Sequence, residues 1–566
     1  MNNLRDVFVA DFETLTKAPT KVWLAGFCRA GNLEKDNVKI QYNINDFLNL
    51  FFNYKRNCKV YFHNLSFDGS FIIYFLEKEK FIFTTKYKPK KNKEYSYLID
   101  ELGSIFYIKI NINNHIITFL DSFKLYRAKL KRLAEDFNCK YKKLEIDYNH
   151  NPKKKATKNE EEYIKNDILI LSELIYQYYK NFNKVKITIS TQAKAEFCNT
   201  LKTNFRWGFP ELTNDADSFI RSAYRGGICY ISKKIKKDKV YNFKNGVVYD
   251  YNSMYPSMLH SKSGNRYPYG QPSPIWDEQD LQYRIKQNKL FIIKISCKFK
   301  LKKNKIPCIS GLRGRFYEND TWESDSKGQT ILTLTNIDFK LLIDNYDVSN
   351  LKFIKGYYFI NDKIGIYDNF INKWYKIKES SDGAKREFAK YILNSFIGKM
   401  GQKKTFVKKI VKIKNKKLKG ELYYDNGLGE YLPTPVFCNS YARAELVNTI
   451  NSNYDNFLYC DTDSIHLKDN KNIKNIKIGE GLCEWKKETD FIKCKYIKLK
   501  TYIEKTKDKK YIIKCSGLTE EAKEKYNNES CFKKFKIGAI FKNSKRTLKR
   551  VEGGVIIENT DFTIKP

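Results

Sequence analysis

The stretch Asn456-Phe457-Leu458-Tyr459-Cys460-Asp461-Thr462-Asp463-Ser464-Ile465-His466-Leu467 sets two acids one residue apart between two apolar runs, in a chain that is otherwise strongly basic. A strand alternates its side chains between faces, so a strand continuing through this segment would present Asp461 and Asp463 on one side. Like charges held that close repel and lose hydration, and such a pair calls for a cation. Hard cations such as Mg²⁺ are bound through a few carboxylates plus substrate phosphates. Asp and Ser are also common turn residues, so the segment alone fits either a polar turn or a metal-binding pair. Its apolar flanks and its partners elsewhere in the chain favour the pair.

Working outward, Gly246-Val247-Val248-Tyr249 is an apolar run ending at Asp250, which predicts a buried strand that delivers a third acid. Between Ser380 and Met400, Phe388, Tyr391, Ile392 and Phe396 fall on one side of a helix, with Lys385, Arg386 and Lys390 on others. Lys403 to Tyr424 alternates lysine with Val and Ile (Val411-Lys412-Ile413-Lys414), the pattern of a basic hairpin with one wet face. The C-terminal stretch is Lys-rich and carries a Gly553-Gly554 turn.

Residues 1 to about 185 read as mixed α/β. Val7-Phe8-Val9-Ala10 is a short apolar strand ending in Asp11-Phe12-Glu13, whose two acids share a strand face. Lys59-Val60-Tyr61-Phe62-His63 is a second strand, followed by an expected turn at Gly69 into apolar Phe71-Ile72-Ile73-Tyr74-Phe75. Tyr163, Ile164, Ile168, Leu171, Leu174 and Ile175 recur at helical spacing after an acidic first turn, which predicts a helix from about Glu160 to Tyr179. Tyr163 and Asp167, four apart, share a face of it. Asn151-Pro152-Lys153-Lys154-Lys155 before it reads as a loop. Asp11, Glu13, Asp68 and Asp167 could together hold two divalent cations, the arrangement that activates water and stabilises the leaving oxygen in phosphodiester hydrolysis.

At 566 residues the chain is long enough for several domains, and hydrophobic and aromatic contents of 42% and 15% exclude a disordered protein. Lys and Arg number 105 against 64 Asp and Glu, and the formal charge of +41 points to a polyanionic partner, nucleic acid or an acidic membrane surface. The composition, rich in Lys, Asn, Ile and Tyr, is also what AT-rich coding produces. The thirteen cysteines form no Cys-x-x-Cys and the five histidines are dispersed, so no zinc site assembles from local spacing and free thiols in a reducing cytosol are expected. Met1-Asn2-Asn3-Leu4-Arg5-Asp6 lacks an apolar signal core and no run is long enough to span a bilayer, so a secreted or membrane protein is not expected. No internal repeat or low-complexity linker interrupts the chain.

Asp11-Phe12-Glu13, His63-Asn64-Leu65-Ser66-Phe67-Asp68 and Tyr163-Ile164-Lys165-Asn166-Asp167, in this order, resemble the Exo I, II and III motifs of the DEDDy 3′–5′ proofreading exonucleases. The resemblance makes Asp11, Glu13, Asp68 and Asp167 the metal ligands and Tyr163 the residue that orients the attacking water. It makes Thr14, His63, Asn64 and Phe67 single-strand contacts, Phe67 by stacking, with Ser122 and Phe123 extending the channel. Lys143 would assist catalysis.

Asp250-Tyr251-Asn252-Ser253-Met254-Tyr255-Pro256 resembles motif A of family B DNA polymerases, with Met254 for the usual Leu, and Tyr459-Cys460-Asp461-Thr462-Asp463-Ser464 resembles their motif C. The resemblance assigns two metals to Asp250 and Asp463, with Asp461 in support. Tyr255 would lie under the incoming sugar and exclude a 2′-OH. Lys390-Tyr391-Ile392-Leu393-Asn394-Ser395-Phe396-Ile397-Gly398 resembles motif B, making Lys390 and Asn394 nucleotide contacts with Lys378 as a second phosphate ligand; Ile397 stands where the family has tyrosine. Lys500-Thr501-Tyr502 resembles the Lys-x-Tyr primer-binding motif, and Tyr224-Arg225-Gly226-Gly227 the template-contacting Tyr-x-Gly-Gly motif, whose glycines would let backbone approach DNA. In Asn439-Ser440-Tyr441-Ala442-Arg443, Asn439 replaces the family's usual Thr.

The size of the chain and two further segments are similar to the protein-primed subgroup of small tailed phages. The resemblance implies a multidomain α/β and α+β fold, with an RNase H-like exonuclease domain at 1–187 and a right-hand polymerase domain at 188–566. Within the latter it implies an antiparallel palm at about 188–261 and 434–520, helical fingers at about 361–402 and a small thumb at about 521–566. A first insertion at about 262–360 would dock a terminal protein, and a second at about 403–433 would help encircle DNA. The implied activity is DNA synthesis on a template-primer from dNTPs, with proofreading, strand displacement and a terminal protein's hydroxyl as primer. Two Mg²⁺ ions, or Mn²⁺, would serve each site, in a monomer acting in the cytoplasm of an infected bacterium. The alternatives are a conventional family B polymerase with a nucleic-acid primer, a non-catalytic DNA-binding protein and a stand-alone nuclease, which leaves most of the chain unexplained.

Overall fold

In the computed structural model of the chain, residues 4–146, 150–151, 154–182, 184–310, 322–427 and 429–566 are described. Pro152 and Lys153 of the expected loop lie outside them.

Val7, Phe8, Val9 and Ala10 are all buried, because the strand Val7–Thr14 lies inside an eight-stranded sheet. It pairs parallel with Cys58–Phe62, which pairs parallel with His115–Asp121, while Val22–Arg29 runs antiparallel on its other side. The amphipathic pattern after Glu160 becomes the helix Lys158–Asn181, started by a reciprocal capping box between Thr157 and Glu160. Its apolar face packs on the strands Val7–Thr14 and Val22–Arg29, which brings Asp167 over the acids of the first strand.

The turn expected at Gly69 is not formed. Asn64 takes the left-handed conformation (φ 76°) and starts the helix Leu65–Lys78, with Gly69 inside it. A Cβ at Gly69 would lie 3.1 Å from the Cδ1 atoms of both Ile105 and Ile108. The glycine is there to let the helix lie close on the sheet, a tertiary requirement that reads locally as a turn signal.

In the C-terminal part, the strand Val240–Tyr251 occupies the middle of a seven-stranded sheet, antiparallel to Ser464–Leu467 on one side and Trp485–Lys498 on the other. Phe457–Asp461 pairs with Ser464–Leu467. Ser464 is therefore flanked by Asp250 on one strand and Asp461 on the other. The helices Asp368–Glu379 and Gly383–Met400 pack against each other beside this sheet. Residues 267–363 add a four-stranded sheet and two helices, Glu278–Lys286 and Asn336–Asn345.

Two long hairpins project from this body, Thr405–Lys414 with Lys417–Asn426, and Ile540–Val551 with Gly554–Thr563. Both reach the N-terminal domain. The Val411 amide donates to Tyr97 Oη at 2.9 Å, and the Thr20 amide donates to the Glu552 carbonyl at 2.9 Å. Arg550 Nη1 donates to the Leu418 carbonyl at 3.4 Å, joining the hairpins to each other. Among the described residues no helix is long and apolar enough to cross a membrane.

Candidate active sites

Asp461 and Asp463 do not share a strand face, which corrects the reading of the segment as one continuous strand. Phe457–Asp461 ends, and the Asp463 amide donates to the Asp461 carbonyl at 2.6 Å, closing a three-residue turn around Thr462 at φ 61°. A positive φ is costly for a β-branched residue, and it is held here from outside the hairpin. The Thr462 amide donates to the Ile228 carbonyl at 2.8 Å, and Gly227 packs on the Thr462 side chain. The turn gives the two acids different neighbours. Asp461 accepts from Lys500 Nζ at 2.6 and 2.8 Å. Asp463 faces Asp250 instead, and its carbonyl accepts from the Tyr251 amide at 2.7 Å.

Asp250 and Asp463 line a cavity of about 740 Å³ whose far wall is the helix pair, through Lys378, Arg386, Lys390 and Asn394. Tyr224, Tyr255 and Ile397 also line it. Lys378 Nζ donates to Ser253 Oγ at 2.7 Å, and Lys390 is exposed. Burial, then the neighbouring carboxylates Asp463 and Glu488, push Asp250 up to about 7. Burial and Asp461 push Asp463 up to about 6. A wall of cations opposite two half-buried acids is suited to a polyphosphate with its counter-cations.

The four residues of the Tyr-x-Gly-Gly segment are half-buried, and its second glycine has a structural use besides. A Cβ on Gly227 would come within 2.8 Å of Thr462 Cγ2, so this glycine accommodates the strained turn. Arg225 Nη1 donates to the Thr333 carbonyl at 2.7 Å, and burial lowers the guanidinium to about 10. That side chain ties the segment to the inserted sheet rather than presenting a cation to a groove. The Arg225 carbonyl accepts from Asn439 Nδ2 and Arg443 Nη1, both at 2.8 Å, and the Gly226 carbonyl from Arg443 Nη1 at 2.9 Å. Arg443 is in turn held by Asp338 at 2.7 Å, both fully buried. Tyr502 sits on the same side of the sheet as Tyr459, ring centroids 5.3 Å apart.

The second acid cluster lies in the N-terminal domain. The strand Val7–Thr14 brings Asp11 and Glu13, the helix Leu65–Lys78 brings Asp68, and the helix Lys158–Asn181 brings Tyr163 and Asp167. Burial and then Asp167 raise Asp11 to about 7, burial and then Asp11 raise both Glu13 and Asp68, and burial raises Asp167. Lys143 Nζ donates to Tyr163 Oη at 2.7 Å and to Asp167. The lysine and tyrosine therefore belong to one group.

Of the expected single-strand contacts, Thr14, His63, Asn64, Phe67 and Phe123 keep accessible surface. Ser122 does not. It is fully buried, and its hydroxyl donates to the Phe62 carbonyl at 3.0 Å and meets His63 Nδ1 at 2.9 Å. His63 Nε2 meets the Ala128 carbonyl at 2.9 Å, and burial lowers the imidazole to about 4, so it is neutral. His63 and Ser122, each just past the end of a sheet strand, are held to each other and to the Phe62 and Ala128 carbonyls. Asp121 accepts from the Asn64 and Phe123 amides at 2.9 and 3.0 Å and orients both contacts.

Both clusters suit hard divalent cations. All donors are carboxylate oxygens, and Asp68 Oδ1 and Asp167 Oδ1 are buried without a hydrogen-bond partner. Residues not singled out from sequence also enter. Arg386 stands one helical turn before Lys390, a spacing that could have placed it in the cavity. Glu488 and Lys486 line the same cavity from the strand Trp485–Lys498, and no local pattern marks them.

Comparison with known proteins agrees with this geometry. A family model described as DNA polymerase type B, organellar and viral, matches residues 51–150 and 145–480. The DNA polymerase of Bacillus phage phi29 is 32% identical over 606 residues, covering 99% of each chain. That of Streptococcus phage Cp-1 is 30% identical over 591 residues, covering 99% of this chain and 98% of its own. The structure of Phi29 DNA polymerase complexed with primer-template DNA and incoming nucleotide substrates superposes with a TM-score of 0.88 at 31% identity, covering 99% of this chain and 100% of that one. Its complex with single-stranded DNA gives a TM-score of 0.84 over the same shares. Two acid clusters, a cation-walled cavity and likeness along nearly the whole chain identify this protein as a member of the type B DNA polymerases of the phage phi29 kind.

Proposed function

We propose that this polymerase extends DNA at Asp250 and Asp463 and removes 3′-terminal nucleotides at Asp11, Glu13, Asp68 and Asp167. The reading is carried by the register that pairs Asp250 with Ser464, next to Asp463, and by the cavity that both acids share with Lys378, Arg386 and Lys390. The three cations would bind the triphosphate of an incoming dNTP, and Tyr255 would lie against its sugar. Asp250 and Asp463 would hold divalent cations, Mg²⁺ or Mn²⁺, which when bound lower the pKa of the primer hydroxyl and neutralise pyrophosphate. Lys500 and Tyr502 would hold the primer strand.

At the second site the four acids would hold the same kind of cation, with Tyr163, braced by Lys143, orienting water. Thr14, Asn64, Phe67 and Phe123 would guide the frayed end there. The first insertion supports priming by a terminal protein, and the basic hairpin lying on the exonuclease domain supports strand displacement on a linear genome. The reading is of a monomer working in the cytoplasm of an infected bacterium.

The test is a Mg²⁺-dependent assay of extension and single-strand degradation on one preparation. Asp250→Ala or Asp463→Ala is expected to abolish extension and spare degradation, and Asp11→Ala with Asp68→Ala to do the reverse. Loss of both activities from either set in folded protein would overturn the two-site assignment. Protein priming is tested by transfer of a labelled dNMP to purified terminal protein, and no transfer across candidate partners counts against it.

A further inference from the structure

His466 lies three residues beyond Asp463 on the same hairpin, and it is a buried polar group that no step above uses. Its Nδ1 meets Glu504 Oε1 at 2.6 Å, and both residues are 1% exposed. Tyr496 Oη donates to the same carboxylate oxygen at 3.3 Å. The imidazole is enclosed by aromatic rings standing edge-on, Tyr459 at 5.0 Å and Tyr502 at 5.1 Å between centroids. Two strands separate Ser464–Leu467 from Thr501–Thr506 in the sheet, so no ladder of hydrogen bonds joins them directly. The sheet curls until their side chains meet, and the meeting point is this pair.

A buried ionisable pair is expensive to desolvate, and apolar residues of the same size would commonly do as well for stability. What a hydrogen-bonded pair adds is direction, since it tolerates little sliding. Glu504 and Tyr502 are two residues apart and project from the same face of one strand. Fixing Glu504 on His466 therefore fixes Tyr502, and with it the turn that presents Lys500. The Lys500 amide donates to Tyr459 Oη at 3.1 Å, and its ammonium reaches Asp461.

We propose that His466 and Glu504 are positioning residues for the primer terminus, holding the Lys500–Tyr502 segment on the hairpin that carries the catalytic aspartates. The inference rests on the synthetic reading of that site. A primer end gripped by a well-placed segment stays to be extended, and one gripped loosely leaves for the exonuclease cluster.

The experiment uses the full chain and a labelled primer-template, titrating dNTPs to find the concentration at which net shortening gives way to net extension. For Glu504→Ala that concentration is expected to rise about tenfold, while degradation of a single-stranded oligonucleotide stays within about twofold of the parent. Glu504→Gln keeps an oxygen that accepts from Nδ1–H and is expected to recover most of the difference. An unchanged balance in Glu504→Ala overturns the proposal, as does a parallel fall of both activities with Gln no better than Ala. If Glu504→Ala does not fold, His466→Gln is read the same way and decides. A parent protein that degrades but never extends would overturn the proposed function instead.

Discussion

Gly227 and Thr462 are packed so tightly that a methyl group on the glycine would sit 2.8 Å from Thr462 Cγ2 and 3.2 Å from its Cα. The contact ties the Tyr224–Gly227 segment to the turn that separates the two aspartates. Gly227→Ala must shift that turn, and Asp463 with it. Extension is expected to fall at least about tenfold, ~1.4 kcal/mol of transition-state stabilisation, since small misplacements at a reacting centre are costly. Degradation of single strands should persist. Steady-state extension measured beside a degradation control checks this, and unaltered extension would mean that the turn tolerates the methyl group.

Asp250 and Asp463 imply a pH-dependent stability. Raised values mean that the folded protein retains protons the unfolded chain has already lost. Stability gained that way is complete below the ordinary value of 3.8 and is lost as pH rises through about 6 for Asp463 and about 7 for Asp250. With cations chelated, Asp463→Asn should become more stable than the parent as pH climbs from about 4 to about 7, with the gap level above that. Adding Mg²⁺ should narrow it by stabilising the parent. Thermal unfolding across the range is the measurement, and a gap that shrinks with pH has the wrong sign.

Lys143 is hydrogen-bonded to Tyr163 Oη at 2.7 Å and reaches Asp167 in the same cluster. Lys143→Ala frees both groups to reorient. Degradation is expected to slow at least about tenfold, with extension of a paired primer unchanged. Parallel timing of both reactions distinguishes this from a general loss of fold.

Gly553, at φ 90°, meets the N-terminal domain so closely that a Cβ would lie 1.8 Å from the Thr20 carbonyl oxygen. Gly553→Ala should lift the C-terminal hairpin from that domain and disturb its contact with the basic hairpin. Product length per binding event, measured with competitor DNA, is expected to fall by about half or more if the two hairpins together hold the DNA, as the proposed function has it. The rate of adding the first few nucleotides should hold.

The acids were singled out by motif order and resemblance, with Asp11, Glu13, Asp250 and Asp461 marked by apolar strands and Asp167 by helical spacing. Gly69 was misread because a glycine that packs a helix on Ile105 and Ile108 looks, in sequence, like one that makes a turn. Resemblance made Ser122 and Arg225 DNA contacts; Ser122 is fully buried on the Phe62 carbonyl, and the half-buried Arg225 donates to the Thr333 carbonyl. Arg386 could have been found from its helical turn, and Glu488 could not.

By itself the sequence determined which residues carry charge and which segments bury an apolar face, and its motifs, by resemblance, pointed to two separate clusters of acids. Resemblance already set Asp463 apart from Asp461, but the physical cause of their different neighbours lies in the tertiary structure. It depends on the Ile228 carbonyl and Gly227 holding Thr462 at a positive φ, and on a lysine 39 residues away reaching Asp461. Contacts of that kind follow from how distant strands curl together, and no local period records them.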